Sequence, residues 1–300
     1  LSKMGSLFAP LSNVAMALPI SKWVLEKVTG IDRRRSMPRF DRGSFLKAGA
    51  KYLAARGPVA NPVDKVAYFV DTYANFNDHE LGFAVLDVLR HNGVEVVLPD
   101  QRPSPVPAIV YGDVGLAQRD LAYNVKHLAR AVREGYKIVC SEPSAALCLS
   151  QELRHYVDGE DAVLVSRSTV ELMNYLAALR SQGKLKPPTT PITDKFAYHL
   201  PCHLSAVGDE TVTLRLLHDH FKIDIADLQA GCCGLSGTFG MQAKNYDLAS
   251  QISESLKTAL AKSTTQSILT ECAACKMQIE HIAPATTIHP VNLLARSYGL

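Results

Sequence analysis

Tyr198-His199-Leu200-Pro201-Cys202 stands 130 residues after Tyr68-Phe69-Val70-Asp71-Thr72, and reading the two stretches together decides the fold. Each opens as a short apolar strand and closes on loop-forming residues. Two further pairs repeat at nearly the same offset. Pro103-Ser104-Pro105 lies over Cys232-Cys233-Gly234, and Ser141-Glu142-Pro143 lies over Thr270-Glu271-Cys272. Three landmarks at one offset imply an internal duplication.

Outward from these landmarks, strands alternate with helices. In the first copy Val66–Val70, Val94–Leu98 and Tyr136–Cys140 read as strands. A helix capped by Asn77 or Asp78 carries Leu81, Val85, Val88 and Leu89 at helical spacing and stops at Gly93. A longer helix spans 113–134, and Pro143 can open another. In the second copy the strands are Phe196–Leu200, Ile223–Leu228 and Ser267–Thr270, with helices over 210–220, over 243–261 and from Cys272 onward. This alternation implies parallel sheets covered on both faces. The expected class is α/β: two tandem, similar Rossmann-like lobes with mostly parallel sheets, preceded by a helical lead-in. The expected divisions are a lead-in at 1–60, a first lobe at 61–185 and a second at 190–300, joined by the proline-rich stretch 181–194. In the lead-in, Leu11, Val14, Leu18, Trp23, Val24 and Val28 form an apolar side for the domain, a missing neighbour or a membrane surface, in segments broken at Pro10 and Pro19. Arg33-Arg34-Arg35 reads as a solvated turn.

Three hundred residues, 47% of them hydrophobic, are enough for about two domains with real cores. The net charge is +3, and no stripe of Lys and Arg interleaved with aromatics appears, so nucleic acid is not favoured. No apolar run reaches the roughly 18 residues of a membrane span. Pro10, Asn13 and Pro19 interrupt what could otherwise be a secretory signal, and the expected location is cytoplasmic. The chain begins at Leu1 rather than Met and reads as a piece of something longer.

Five of the seven cysteines form the pattern C-x29-C-C-G-x38-C-x2-C. Cys202, Cys232 and Cys233, and Cys272 and Cys275 each follow a predicted strand, so their loops meet at one sheet edge, where ligands of parallel sheets bind. Such thiols in a chain without secretory features point to metal ligation or redox chemistry. Cys272 opens a helix, which favours its thiolate. Gly231, Gly234, Gly237 and Gly240 let backbone approach a bulky inorganic ligand and donate N–H groups to sulfide. The run lacks the Gly-Lys-Ser/Thr ending of a phosphate loop. Structural zinc and a cubane cluster each take four ligands, and five cysteines exceed both. The adjacent Cys232-Cys233 pair suits a larger, irregular cluster. A zinc-binding structural or docking domain, with His199 or His203 beside Cys202, stays open. Cys140 and Cys148 fall out of C-x-x-C register and read as small buried hydrophobes.

The cysteine pattern and its flanks, Tyr198-His-Leu-Pro-Cys-His-Leu204, Gly231-Cys-Cys-Gly-Leu-Ser-Gly-Thr-Phe-Gly240, Thr270-Glu-Cys-Ala-Ala-Cys-Lys276 and His289-Pro-Val-Asn-Leu-Leu294, resemble the cysteine-rich CCG domain. That domain occurs in the B subunit of heterodisulfide reductase, in the C subunit of anaerobic glycerol-3-phosphate dehydrogenase, in glycolate and lactate oxidase iron–sulfur subunits and at the C-terminal end of FAD-linked oxidoreductases. Gly30-Ile-Asp-Arg-Arg-Arg35 is similar to the segment after the ferredoxin-like domain of such proteins. The resemblance implies a four-iron, four-sulfide cluster, of cubane or noncubane type, on Cys202, Cys232, Cys233, Cys272 and Cys275. It implies electron relay from flavin toward quinone or another acceptor, within a dehydrogenase of the 2-hydroxy acid or glycerol 3-phosphate type. FAD is then expected on a missing domain or partner. The expected partners are a flavoprotein, a ferredoxin-like domain and, through quinone, the cytoplasmic membrane face. The chain alone holds no complete active site. A heterodisulfide or thiol–disulfide reductase module is the other redox reading. The first copy has Thr72 and Pro103-Ser104-Pro105 in place of cysteines, so one cluster is expected, not two.

Overall fold

The computed structural model describes residues 2–300. Three helices lead in: α1 (Ser2–Leu7), α2 (Ala9–Ala17) and α3 (Pro19–Thr29). Pro10 and Pro19 sit in the first turns of α2 and α3, where a missing N–H costs nothing. The fourth helix, α4 (Phe45–Arg56), has no clear sequence signal, yet it anchors the segment. Phe45 is fully buried, and its ring lies against Gly82, where a Cβ would come within 2.5 Å.

The first sheet holds four parallel strands, β1 (Asp64–Phe69), β2 (Val94–Val97), β3 (Lys137–Cys140) and β4 (Thr169–Glu171), in the order β2-β1-β3-β4. The second repeats it with β5 (Lys195–Tyr198), β6 (Asp224–Asp227), β7 (Ser267–Leu269) and β8 (Thr286–Ile288), in the order β6-β5-β7-β8. The identical orders bear out the duplicated α/β architecture. Even a buried side-chain contact repeats: Tyr68 Oη pairs with Ser141 Oγ at 2.8 Å, and Tyr198 Oη donates to Glu271 Oε2 at 3.0 Å.

In the first lobe the helices are α5 (Thr72–Phe76), α6 (His79–His91), α7 (Val106–Val110), α8 (Val114–Arg133), α9 (Pro143–Ser150), α10 (Glu160–Ser168) and α11 (Leu172–Ser181). Acidic caps start several of them. Asp71 accepts from the Tyr73 and Ala74 N–H groups, Asp78 from Leu81, Asp113 from Leu116, and Glu171 from Met173 and Asn174. The second lobe has α12 (Cys202–Val207), α13 (Val212–Arg215), α14 (Tyr246–Ile252), α15 (Glu254–Lys262), α16 (Ala273–Ile282) and α17 (Pro290–Tyr298).

Several boundaries differ from the pattern-based expectation. β4 and β8 have only three residues each, too few for alternation to register. The helix expected over 210–220 begins at Val212 and widens into a π turn at Leu216–His220. The helix expected over 243–261 is split at Ser253, because serine hydroxyls bond back to the carbonyls of Tyr246 and Ser250. One hydrophobic core runs through both sheets. Its seam is α17 against α6, where His91 stacks on Tyr298 with ring centroids 4.3 Å apart. The lead-in's apolar side is not in that core: Leu11 and Val28 are 72% and 78% exposed.

Candidate metal centre

The C-terminal ends of the strands of both sheets face one another across the lobe junction. Cys202 follows β5 and opens α12; Cys232 and Cys233 follow β6; Cys272 caps α16 after β7, with Cys275 in its first turn. The structure brings all five thiols into one array. Cys202 meets Cys232, Cys232 meets Cys233, Cys233 meets Cys275, and Cys275 meets Cys272. Cys202 and Cys232 are exposed, and the other three are buried. Among the described residues no three His, Cys, Asp or Glu converge on a single-ion position. The thiols are arranged as a run of neighbours rather than a preformed tetrahedron.

Their proton affinities diverge along the array. The Cys202 and Cys233 thiols, with the Gly234 N–H at 3.3 Å, favour the Cys232 thiolate and lower its pKa. Contact with Cys275 and the free N–H groups of α16 lower that of Cys272. Cys202, Cys233 and Cys275 are raised, each first by a neighbouring cysteine sulfur. A set in which two thiols have lowered proton affinity suits metal ligation.

The glycine loop that carries Cys232 and Cys233 packs closely on α14. Gly234 has φ +79°, and a Cβ there would lie 2.3 Å from the Ala249 carbonyl oxygen. The first lobe covers the loop: Tyr111 Oη accepts from Thr238 Oγ1 at 2.9 Å and from Gln242 Nε2 at 3.0 Å. The donor chemistry fits a sulfur-ligated cluster: five neighbouring thiols with a backbone N–H on one of them.

Several residues at the site escape motif reading. Glu142, from the cysteine-free lobe, caps its own helix α9 through Oε1 and accepts from the Ala273 N–H through Oε2 at 2.9 Å. It also touches Cys272, and burial pushes its carboxyl pKa well up. His199 is 1% exposed with neither ring nitrogen bonded, and burial lowers its pKa to about 4. His203 turns away to Ser144 Oγ at 2.9 Å. His289 caps α17 through Nδ1 and donates from Nε2 to the Ser141 carbonyl at 3.0 Å. In the Arg33-Arg34-Arg35 turn, Arg33 and Arg34 are exposed as expected, but Arg35 is 2% exposed, packed between Gln278 and Tyr246. Cys140 and Cys148 are buried in the first lobe's core, as expected.

Residues 196–280 match the family model described as a cysteine-rich domain, CCG. That match lies within the second lobe and takes in all five clustered cysteines. The chain is 29% identical to the C subunit of the anaerobic glycerol-3-phosphate dehydrogenase of Escherichia coli, over 98% of this chain and 74% of that one. It is 25% identical to an uncharacterized iron-sulfur protein of Methanocaldococcus jannaschii, covering 76% of this chain and 44% of the relative. To D-2-hydroxyglutarate dehydrogenase of Escherichia coli it is 21% identical, over 75% of this chain and 22% of the relative. The last two alignments reach into the first lobe, well beyond the residues 196–280 of the family-model match. No helix among the described residues is long and apolar enough to cross a membrane.

Proposed function

We propose that this chain is the iron–sulfur electron-transfer module of a flavin-linked dehydrogenase of the glycerol 3-phosphate or 2-hydroxy acid type. The observation that carries this reading is the convergence of five thiols from three strand-end loops. The similarity along nearly the whole chain to a dehydrogenase subunit supports it. Cys202, Cys232, Cys233, Cys272 and Cys275 hold the cluster, which when bound takes up and passes on single electrons. Five ligands and the adjacent Cys232-Cys233 pair favour a noncubane four-iron type. The Gly234 N–H steadies the Cys232 sulfur, and Glu142 with the start of α16 fixes Cys272. Flavin belongs to a partner subunit or domain. The exposed edge at Cys202 and Cys232 is the side from which electrons can be exchanged with it or with an acceptor such as quinone. The lead-in's exposed apolar side is the element for peripheral membrane contact.

The test is iron, sulfide and zinc content of anaerobically purified protein, with its visible absorption spectrum. About four irons with matching sulfide, lost in Cys233→Ser, is the expected result for a cluster of this class. One zinc per chain without sulfide overturns the reading in favour of a structural zinc domain.

A further inference from the structure

Arg35 is a cation buried without an anion. Its Nη1 donates to Gln278 Oε1 at 2.6 Å. Its Nε and Nη2 have no acceptor, and Gln278 Nε2 has no partner either. The carboxylate nearest in sequence, Asp32, is taken by Arg34, whose Nε lies 2.9 Å and 3.1 Å from its two oxygens and whose Nη2 lies 2.6 Å from Oδ2. Tyr246 offers both guanidinium groups its ring, with centroid distances of 3.7 Å for Arg34 and 4.4 Å for Arg35. That contact leaves the in-plane donors of Arg35 free. Burying an uncompensated charge carries a heavy desolvation cost, so these donors call for an acceptor absent from the polypeptide around them. Gln278 stands one turn after Cys275 on α16. Cys233, Cys272 and Cys275 pack in the same small core as Ile31 and Met37, which flank Arg35 in sequence.

We propose that Arg35 is the counter-ion of the five-thiolate centre and sets its reduction potential. The assignment rests on the cluster reading above. Reduction adds one negative charge to a centre already made negative by its thiolates, and a fixed guanidinium favours that state. Removing the charge therefore makes the centre harder to reduce. Arg35 is a positioning and tuning residue, supplied by the lead-in to the second lobe.

The experiment is a redox titration of the anaerobically purified full chain, followed by cluster absorption and paramagnetic resonance. Iron and sulfide are measured on each sample. Arg35→Gln is expected to lower the reduction equilibrium constant at least tenfold, about 59 mV in a one-electron midpoint. Arg35→Lys, which keeps the charge, recovers most of the shift. Gln278→Glu leaves the guanidinium in place but gives it a carboxylate partner, and it is expected to shift the midpoint in the same direction as Arg35→Gln. An unchanged midpoint in Arg35→Gln, or in Gln278→Glu where Arg35→Gln loses iron, overturns the assignment. Loss of iron in all three variants, including the charge-keeping lysine, marks Arg35 as a mere clasp and overturns it as well. A wild-type chain without iron and sulfide refutes the cluster reading itself, whereas loaded chains with coincident midpoints refute only the role of Arg35.

Discussion

Gly234 gives the sharpest test of how the site is built. Its φ of +79° costs a residue with a Cβ about 1–2 kcal/mol. Gly237 has a similar φ of +61°, but nothing lies within 4 Å of its Cβ position. At Gly234 the added carbon meets the Ala249 carbonyl oxygen at 2.3 Å and the Ser253 N–H nitrogen at 3.2 Å. Both are backbone atoms at the α14–α15 break, so neither can rotate aside. Forcing a methyl into such a contact adds about 1–3 kcal/mol. Gly237→Ala should then cost about 1–2 kcal/mol and Gly234→Ala about 2–5 kcal/mol. Urea denaturation of the reduced, metal-free protein reads both values without the cluster's own contribution. Relief by movement of the loop would carry Cys232 and Cys233 with it, so iron per chain in anaerobic protein should fall in Gly234→Ala and hold in Gly237→Ala. Equal stability and equal iron in the two variants would refute the claim that close backbone approach, rather than φ alone, demands glycine at 234.

Other outcomes follow from the same geometry. Cys140→Ala should leave iron content unchanged, since Cys140 is packed in the first lobe's core, whereas Cys275→Ser should reduce it; elemental analysis separates the two. Glu142→Ala strips the Ala273 N–H of its partner and should cost about 1–3 kcal/mol in urea denaturation. Glu142→Gln, which can still accept, should cost less. Burial lowers His289 to about 4, and its Nδ1 must stay unprotonated to accept from Val291. Between pH 6.5 and 4 the unfolded chain therefore binds more protons, and stability falls as pH falls; one such histidine contributes about 2 kcal/mol between pH 7 and 5. His289→Asn should flatten that part of the pH profile. Leu11→Gln and Ile20→Gln, at exposed sites, should change stability by no more than about 0.5 kcal/mol. Their binding to anionic lipid vesicles, followed by sedimentation, should weaken severalfold if α1–α3 is the membrane-facing element.

What the sequence disclosed and what it hid differ by the range of the interactions involved. Strand cores such as Val66 to Phe69 and helices with capped starts, such as α6 and α8, depend on local periodicity and are legible in one dimension. The thiol array is legible because cysteine is rare and each group follows a strand. Glu142 is hidden because its role at Cys272 crosses 130 residues of chain, and Arg35 because its partner Gln278 lies 243 residues away. A run of three arginines looks like a solvated turn. Only folding separates Arg34, bound to Asp32, from Arg35, turned inward.

These long-range contributions bear on whether residues 190–300 can act as a free-standing unit. Their sheet has its own strand order, but their last helix, α17, packs against α6 of the first lobe, and the residues it buries there belong to the core shared by both sheets. The start of α16 takes its N-terminal acceptor from Glu142, and the glycine loop is pinned by Tyr111. Cut at the connector, the second lobe would expose the apolar face of α17 and leave the Ala273 N–H without its protein partner. An isolated 190–300 fragment is therefore expected to aggregate or to refold without binding iron, while a chain starting at residue 30 keeps Arg35, α4 and both lobes and should hold the full complement. A soluble 190–300 fragment with wild-type iron and sulfide would show that the cysteine-free copy is dispensable to the site. Failure of the fragment together with success of the longer chain would identify that copy, though bare of thiols, as a working wall of the metal centre.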